Sequence, residues 1–246
     1  VNPKETRSRR LYSDILALFD RKQHQDTFRV LLDLFLEAKG RPLPTQAVVK
    51  SPSALSRFLN HYRWNTRALV RSLRQHAQRV LLDSWRSNPH QRPQLELLID
   101  LTSLEKTGDF PLLDDWMHVY NGVHGVHLVV LYLCCGPLKL PWAVQVWRGK
   151  GTPAPPTLAL KLLRTVPVSF LRGGRRPCVH ADGGFECAAF IHGVLALGLD
   201  VVVGVRRTRA LTDGRHVQDV SVRGAALLLE LARIDAVQDA LLASLP

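Results

Sequence analysis

The apolar positions in the first third of the chain recur with the period of a helix. Between Leu11 and Ala38 they fall at Ile15, Leu16, Phe19, Phe28, Leu31, Leu32, Phe35 and Leu36, which lines one face of successive turns. Asp26-Thr27 reads as an N-cap region dividing the stretch into two helices of a hairpin, and Gly40 through Pro44 breaks the pattern. Ser51-Pro52-Ser53 opens the next helix, Ser as N-cap and Pro in the first turn. Its stripe is Leu55, Phe58, Leu59 and Tyr62. A further helix runs to about Trp85 and buries Leu69, Leu73, Val80 and Leu81, with Arg63, Arg67, Arg71 and Arg74 three or four apart on the other face.

After Pro93 the periodicity changes. Leu95-Glu96-Leu97-Leu98-Ile99-Asp100 is a short apolar run that reads as a buried strand. Gly108 to Gly125 is loop-rich, and its Asp114-Asp115 reads as a turn or helix cap. Val126 to Cys135 and Leu140 to Trp147 form two strands joined by a turn at Gly136-Pro137-Leu138-Lys139. Prolines 153, 155 and 156 interrupt, and a helix covers Thr157 to Thr165. A strand then delivers Asp182, a helix spans Phe185 to Leu197, and a last strand spans Leu199 to Val205. The helical spacing returns in a Leu/Ala-rich tail, Ala225 to Pro246.

Asp100 sits where core packing prefers Leu or Val, and an ionised buried Asp is costly unless it is paired or holds a cation. Asp182 repeats the arrangement at the end of Cys178-Val179-His180-Ala181, with Gly183-Gly184 following as a tight turn. Two carboxylates at strand ends suit Mg²⁺ or Mn²⁺, which prefer oxygen ligands.

Charge adds a partner. Of the net +12, nearly all lies early: residues 1–92 carry 18 Lys and Arg against 7 Asp and Glu, while residues 93–246 carry 15 against 14. Such an asymmetry favours a polyanion, most simply DNA, bound by basic helices on its phosphates. Arg175 and Arg176, with Arg172, are placed on the DNA path near Asp182.

Other chemistries are excluded or demoted. Cys134, Cys135, Cys178 and Cys187 form no Cys-x-x-Cys pair, so zinc and a disulfide framework are disfavoured, and buried thiols in a reducing cytosol fit. Gly149-Lys150-Gly151-Thr152 lacks the earlier Gly of a phosphate loop and runs into prolines. His118, His124, His127 and His180 show no metal spacing, and no Gly-x-Ser-x-Gly elbow exists. The apolar run at Val126 is about half the roughly 20 residues a spanning helix needs, and no signal peptide is apparent, so the chain reads as soluble with no membrane partner.

The order strand, two-strand hairpin, helix, strand, helix, strand is that of a ribonuclease H-like α/β fold, a mixed sheet flanked by helices. There the first and fourth strands are neighbours, which brings Asp100 and Asp182 together. Ile99-Asp100-Leu101-Thr102-Ser103, Lys106-Thr107-Gly108 and His180-Ala181-Asp182-Gly183-Gly184-Phe185, in this order after a basic helical region, resemble the bacterial insertion-sequence transposases of the DDE class over roughly residues 11–222. The resemblance implies Mg²⁺- or Mn²⁺-dependent cleavage and strand transfer at the ends of a transposable element. It also implies a homodimer on double-stranded DNA, working in the cytoplasm at the nucleoid. Asp100 would bridge two metals and Asp182 would hold one.

The implied organisation is a helical DNA-binding region at 1–92, a catalytic core at 93–224 and a tail at 225–246. The family's third acid lies in Tyr-x-x-Arg-x-x-x-Glu-x-x-x-x-x-x-Lys, which cannot follow Asp182 here, because the last Tyr is Tyr132 and the last Lys is Lys161. The chain therefore reads as truncated or frame-shifted before the third acid, with Glu230 the substitute by position. The alternative is a non-catalytic DNA-binding remnant that occupies element ends or pairs with an intact transposase.

Overall fold

The computed structural model describes residues 3–37, 44–87, 93–106, 115–171, 176–206, 209 and 214–217. The first helices are α1 (Pro3–Leu16), α2 (Lys22–Glu37), α3 (Pro52–His61) and α4 (Thr66–Ser87). The strands are β1 (Leu95–Glu105), β2 (His118–Tyr120), β3 (Val123–Cys135), β4 (Leu138–Trp147), β5 (Cys178–Ala181) and β6 (Asp200–Val203). Between them lie α5 (Pro155–Leu163), α6 (Val168–Leu171) and α7 (Ala188–Ala196).

The helical pattern divides elsewhere than at Asp26-Thr27. The break falls between α1 and α2, and Thr27 is inside α2, where its hydroxyl donates to the Gln23 carbonyl at 2.7 Å. That back-bond inside a helix competes with the capping role the sequence suggested. Phe19, in the break, is the hub of a small aromatic core with Phe28, Phe58, Tyr62 and Trp64, their ring centroids 5.2–5.8 Å from its own. Ser51 does cap α3: its side chain accepts from the Ala54 amide at 3.3 Å, with Pro52 in the first turn.

The sheet runs in the order β2-β3-β1-β5-β6, with β4 also paired to β3. β1, β3 and β4 are antiparallel neighbours, while β5 joins β1 in parallel and β6 joins β5 in parallel. This is the mixed α/β sheet the element order predicted. It gains one strand: β2 lies inside the stretch read as loop and pairs with the start of β3 through Tyr120↔Val123. The signal for it is Asn121-Gly122, whose φ values of 49° and 79° are those of a two-residue hairpin turn.

One face of the sheet makes the core. Leu95, Leu97 and Ile99 of β1 stand beside Cys135, Leu133 and Leu131 of β3, under Leu81 and Trp85 of α4 and Leu158 and Leu162 of α5. The second half of α4 thus belongs to the sheet's core, so the helical region is not a separate layer. The first half carries the arginines. At the β3–β4 register shift, Trp142 is the extra residue of a bulge, which leaves its carbonyl outside the ladder. Arg74 Nε of α4 donates to that carbonyl at 3.1 Å and its guanidinium lies 5.5 Å from the Trp142 ring centre.

At the far end of the core, His127 is fully buried. Its Nε2 meets the His118 carbonyl at 2.8 Å, which can only accept, so Nε2 carries the proton and Nδ1 accepts from Ser103 Oγ at 2.8 Å. His127→Leu keeps most of the volume but orphans both partners. Urea unfolding should show a loss of about 2–4 kcal/mol, whereas a loss near zero would mean that water satisfies both groups.

Candidate active site

Asp100 and Asp182 are brought together by one pairing. The parallel ladder of β1 and β5 ends on Ile99↔Ala181, and each aspartate is the next residue. Neighbouring strands lie about 4.8 Å apart, so Asp182 leaves the end of β5 beside Asp100, which lies mid-strand because β1 runs on along β3 to Glu105.

Their settings differ from the buried pair the sequence suggested. β1 alternates: Leu95, Leu97 and Ile99 are buried, while Glu96, Leu98, Asp100 and Thr102 share the other face. Leu98 is 42% exposed there, so the apolar run concealed a half-open strand. Asp100 is half-buried and Asp182 exposed. No charge is forced into an apolar core.

Each carboxylate is held by one oxygen. Thr102 Oγ1 donates to Asp100 Oδ2 at 2.6 Å. The Gly184 amide donates to Asp182 Oδ1 at 3.0 Å, and the Phe185 amide closes the same turn onto the Asp182 carbonyl at 3.0 Å. Among the described residues the second oxygen of each has no hydrogen-bond partner. Asp100 Oδ1 and Asp182 Oδ2 are thus the oxygens left to meet a cation. No group of three or more His, Cys, Asp or Glu suited to a metal occurs among the described residues. Two carboxylates nevertheless fit Mg²⁺, which usually takes one or two from protein and completes its shell with water and substrate phosphates.

Sequence reasoning passed over Glu186, four residues after Asp182. Its carboxylate accepts from the Arg206 amide at 2.8 Å and pairs with Arg206 Nε at 3.1 Å. Arg209 donates to the Glu186 carbonyl at 2.6 Å. Those bonds tie the chain leaving β6 to the turn that carries Asp182, so Glu186 is a brace. Glu230, the candidate third acid, lies outside the described residues, as do Asp114, Arg172 and Arg175.

The basic residues separate by role. Arg67, Arg71 and Arg74 line a pocket of about 520 Å³ with Thr66, Val70 and Trp142. Arg67 and Arg71 are exposed, whereas burial against Trp142 pulls the Arg74 guanidinium below its usual value. Arg63 lies before α4 begins and so is not on that helix face. Arg176 precedes β5 while Asp182 follows it, so they occupy opposite ends of the strand, roughly 20 Å apart. Arg176 pairs with Asp200 at 3.7 Å instead of lining a path at Asp182. Sequence proximity hid this, because a strand carries its two ends apart.

The four cysteines are free thiols. Burial pushes Cys134 and Cys178 above the ordinary thiol value, Glu96 adding to it at Cys134 and Asp200 at Cys178. Cys187, expected with the buried thiols, is exposed because it sits in the link just before α7.

A family model described as DDE superfamily endonuclease matches residues 21–224. The chain belongs to that family. The cryo-EM structure of the piggyBac transposase synaptic complex with hairpin DNA is similar, at 15% identity and a TM-score of 0.46, over 86% of this chain and 50% of that one. The chain therefore spans about half the length of that solved structure. No curated protein matches it. No helix among the described residues is long and apolar enough to cross a membrane.

Three outcomes test the site's surroundings. Replacing Arg67 and Arg71 together by Ala should leave thermal stability intact and flatten the salt dependence of duplex DNA binding by about two counterion units. Arg74→Ala should instead lower stability, since it strips the Trp142 carbonyl of its donor. An unchanged salt slope would remove Arg67 and Arg71 from the interface. With a thiol-specific reagent at pH 8, Cys187 should react first. Cys134 and Cys178 need a higher pH to form thiolate, because their raised values keep them protonated.

Proposed function

We propose that the chain is a DDE-type transposase acting on double-stranded DNA, cleaving a phosphodiester and transferring the strand at the ends of an insertion element. The observation that carries this reading is the Ile99↔Ala181 register, which delivers Asp100 and Asp182 to one point. A divalent cation bound there would acidify the attacking water or 3′-hydroxyl and neutralise the charge on the leaving oxygen. Asp100 and Asp182 would hold it through their unpartnered oxygens.

The chain's own part is to fix those oxygens. Thr102 holds Asp100 in one rotamer, and the Gly184 amide does so for Asp182.

The basic first half of α4 supports DNA as the substrate. Asp100, Val130 and Val144 share a rung across β1, β3 and β4. The arginine pocket at Trp142 stands beside β4, two strands from β1 and on the side of the sheet that α4 covers, whereas Asp100 lies on the open face.

Mn²⁺-dependent nicking of supercoiled plasmid tests the proposal. Asp100→Asn and Asp182→Asn should each reduce nicking at least a hundredfold, with duplex binding in the absence of metal preserved (about 2.7 kcal/mol of lost transition-state stabilisation). A chain that binds DNA in a salt-sensitive way yet never nicks it is the non-catalytic remnant, and the transposase reading fails.

A further inference from the structure

The turn after Asp182 faces a side chain from a distant part of the sequence. A methyl group placed on the Gly184 α-carbon would stand 3.1 Å from Asp182 Oδ1 and 3.8 Å from the Tyr120 hydroxyl. The phenol of β2 and the carboxylate therefore flank one point, and the missing Cβ leaves it open.

Tyr120 is aimed there by a built support. The Asn121-Gly122 turn fixes the register Tyr120↔Val123. The ring packs edge-on to Trp147 with centroids 5.3 Å apart, and at 5.6 Å from His127, which is itself locked by Ser103 and the His118 carbonyl. Among the described residues the Tyr120 hydroxyl has no hydrogen-bond partner. A rigid aromatic stack thus presents an unused donor beside a carboxylate that only accepts.

An anion could not settle against Asp182 by itself. A phosphate oxygen drawn in by a cation at Asp182 meets a different surface, because on that side the phenol donates and the bare glycine gives room. We propose that Tyr120 is a substrate-positioning residue of the Asp100–Asp182 site, donating a hydrogen bond from its hydroxyl to a non-bridging oxygen of the phosphodiester over the α-carbon of Gly184. This rests on the phosphodiester reading of the site and names a contact that reading does not require.

Tyr120→Phe removes the donor and keeps the ring stack, so thermal melting should be unchanged. Two titrations of the full chain separate the possibilities: Mn²⁺ binding by electron paramagnetic resonance, and affinity for a nicked DNA duplex with and without Mn²⁺. In Tyr120→Phe the Mn²⁺ affinity should stay as in the unaltered chain, while the Mn²⁺-dependent gain in duplex affinity falls about tenfold, as for a lost hydrogen bond to a charged group. The metal-free duplex affinity should not move.

If Mn²⁺ affinity itself falls, the hydroxyl serves Asp182 rather than the substrate, and the proposal is overturned. If neither quantity changes, Tyr120 is only packing, and it is overturned again. Asp182→Asn reports on the underlying reading separately. Should that variant bind Mn²⁺ as the unaltered chain does, the metal site is not at Asp182, and the phosphodiester reading fails together with the role of Tyr120.

Discussion

The parallel pairing of β1 with β5 is the constraint on which the rest of the molecule depends. Four backbone rungs, from Glu96↔Cys178 to Ile99↔Ala181, set the end of β5 level with the middle of β1 although more than eighty residues separate them. A slip of one residue would turn every side chain of β5 to the opposite face. Val179, fully buried beside Leu97, would then face outward. The core therefore enforces the register, and the register places Asp100 beside Asp182. Stability and site geometry are here one requirement.

Around that pair the fold supplies supports of different origin. Thr102 comes from the same strand as Asp100, and Gly184 from the turn that follows Asp182. Glu186 binds that turn to the chain leaving β6 through Arg206 and Arg209. The β2–β3 hairpin brings Tyr120 from the third side, anchored by Trp147 and the buried His127. Further along the same edge of β3, α4 is attached to β4 at the Trp142 bulge, where Arg74 fills the hydrogen-bond vacancy that the bulge creates. A helix fixed in this way holds Arg67 and Arg71 beside the β4 edge of the sheet.

Much of this was legible in the sequence because local rules and the fold agree. The Ser51-Pro52 start of α3, the Gly136-Pro137 turn and the strand that delivers Asp182 each have a local physical cause, whereas the first strand does not stop at Asp100 but runs on to Glu105 because β3 pairs with it throughout. The misread parts are those where tertiary contacts decide. Leu98 looks like core in a run of Leu and Ile, yet it lies on the open face. Asp26-Thr27 looks like a cap, but Phe19 and its aromatic partners set the helix break seven residues earlier. β2 is too short to show alternation, and only Asn121-Gly122 betrays it. Arg176 seemed near Asp182 because six residues is close in sequence, whereas an extended strand makes it far in space.

The central claim is that a divalent cation binds where the end of β5 meets the middle of β1. Iron-directed cleavage tests it most directly: Fe²⁺ bound in place of Mg²⁺, with ascorbate and peroxide, cuts the backbone near its own ligands. Mass spectrometry of the full chain should find cuts close to Asp100 and Asp182, both suppressed by excess Mg²⁺. Cuts confined to other segments, or the same cuts in Asp100→Asn, would contradict the account.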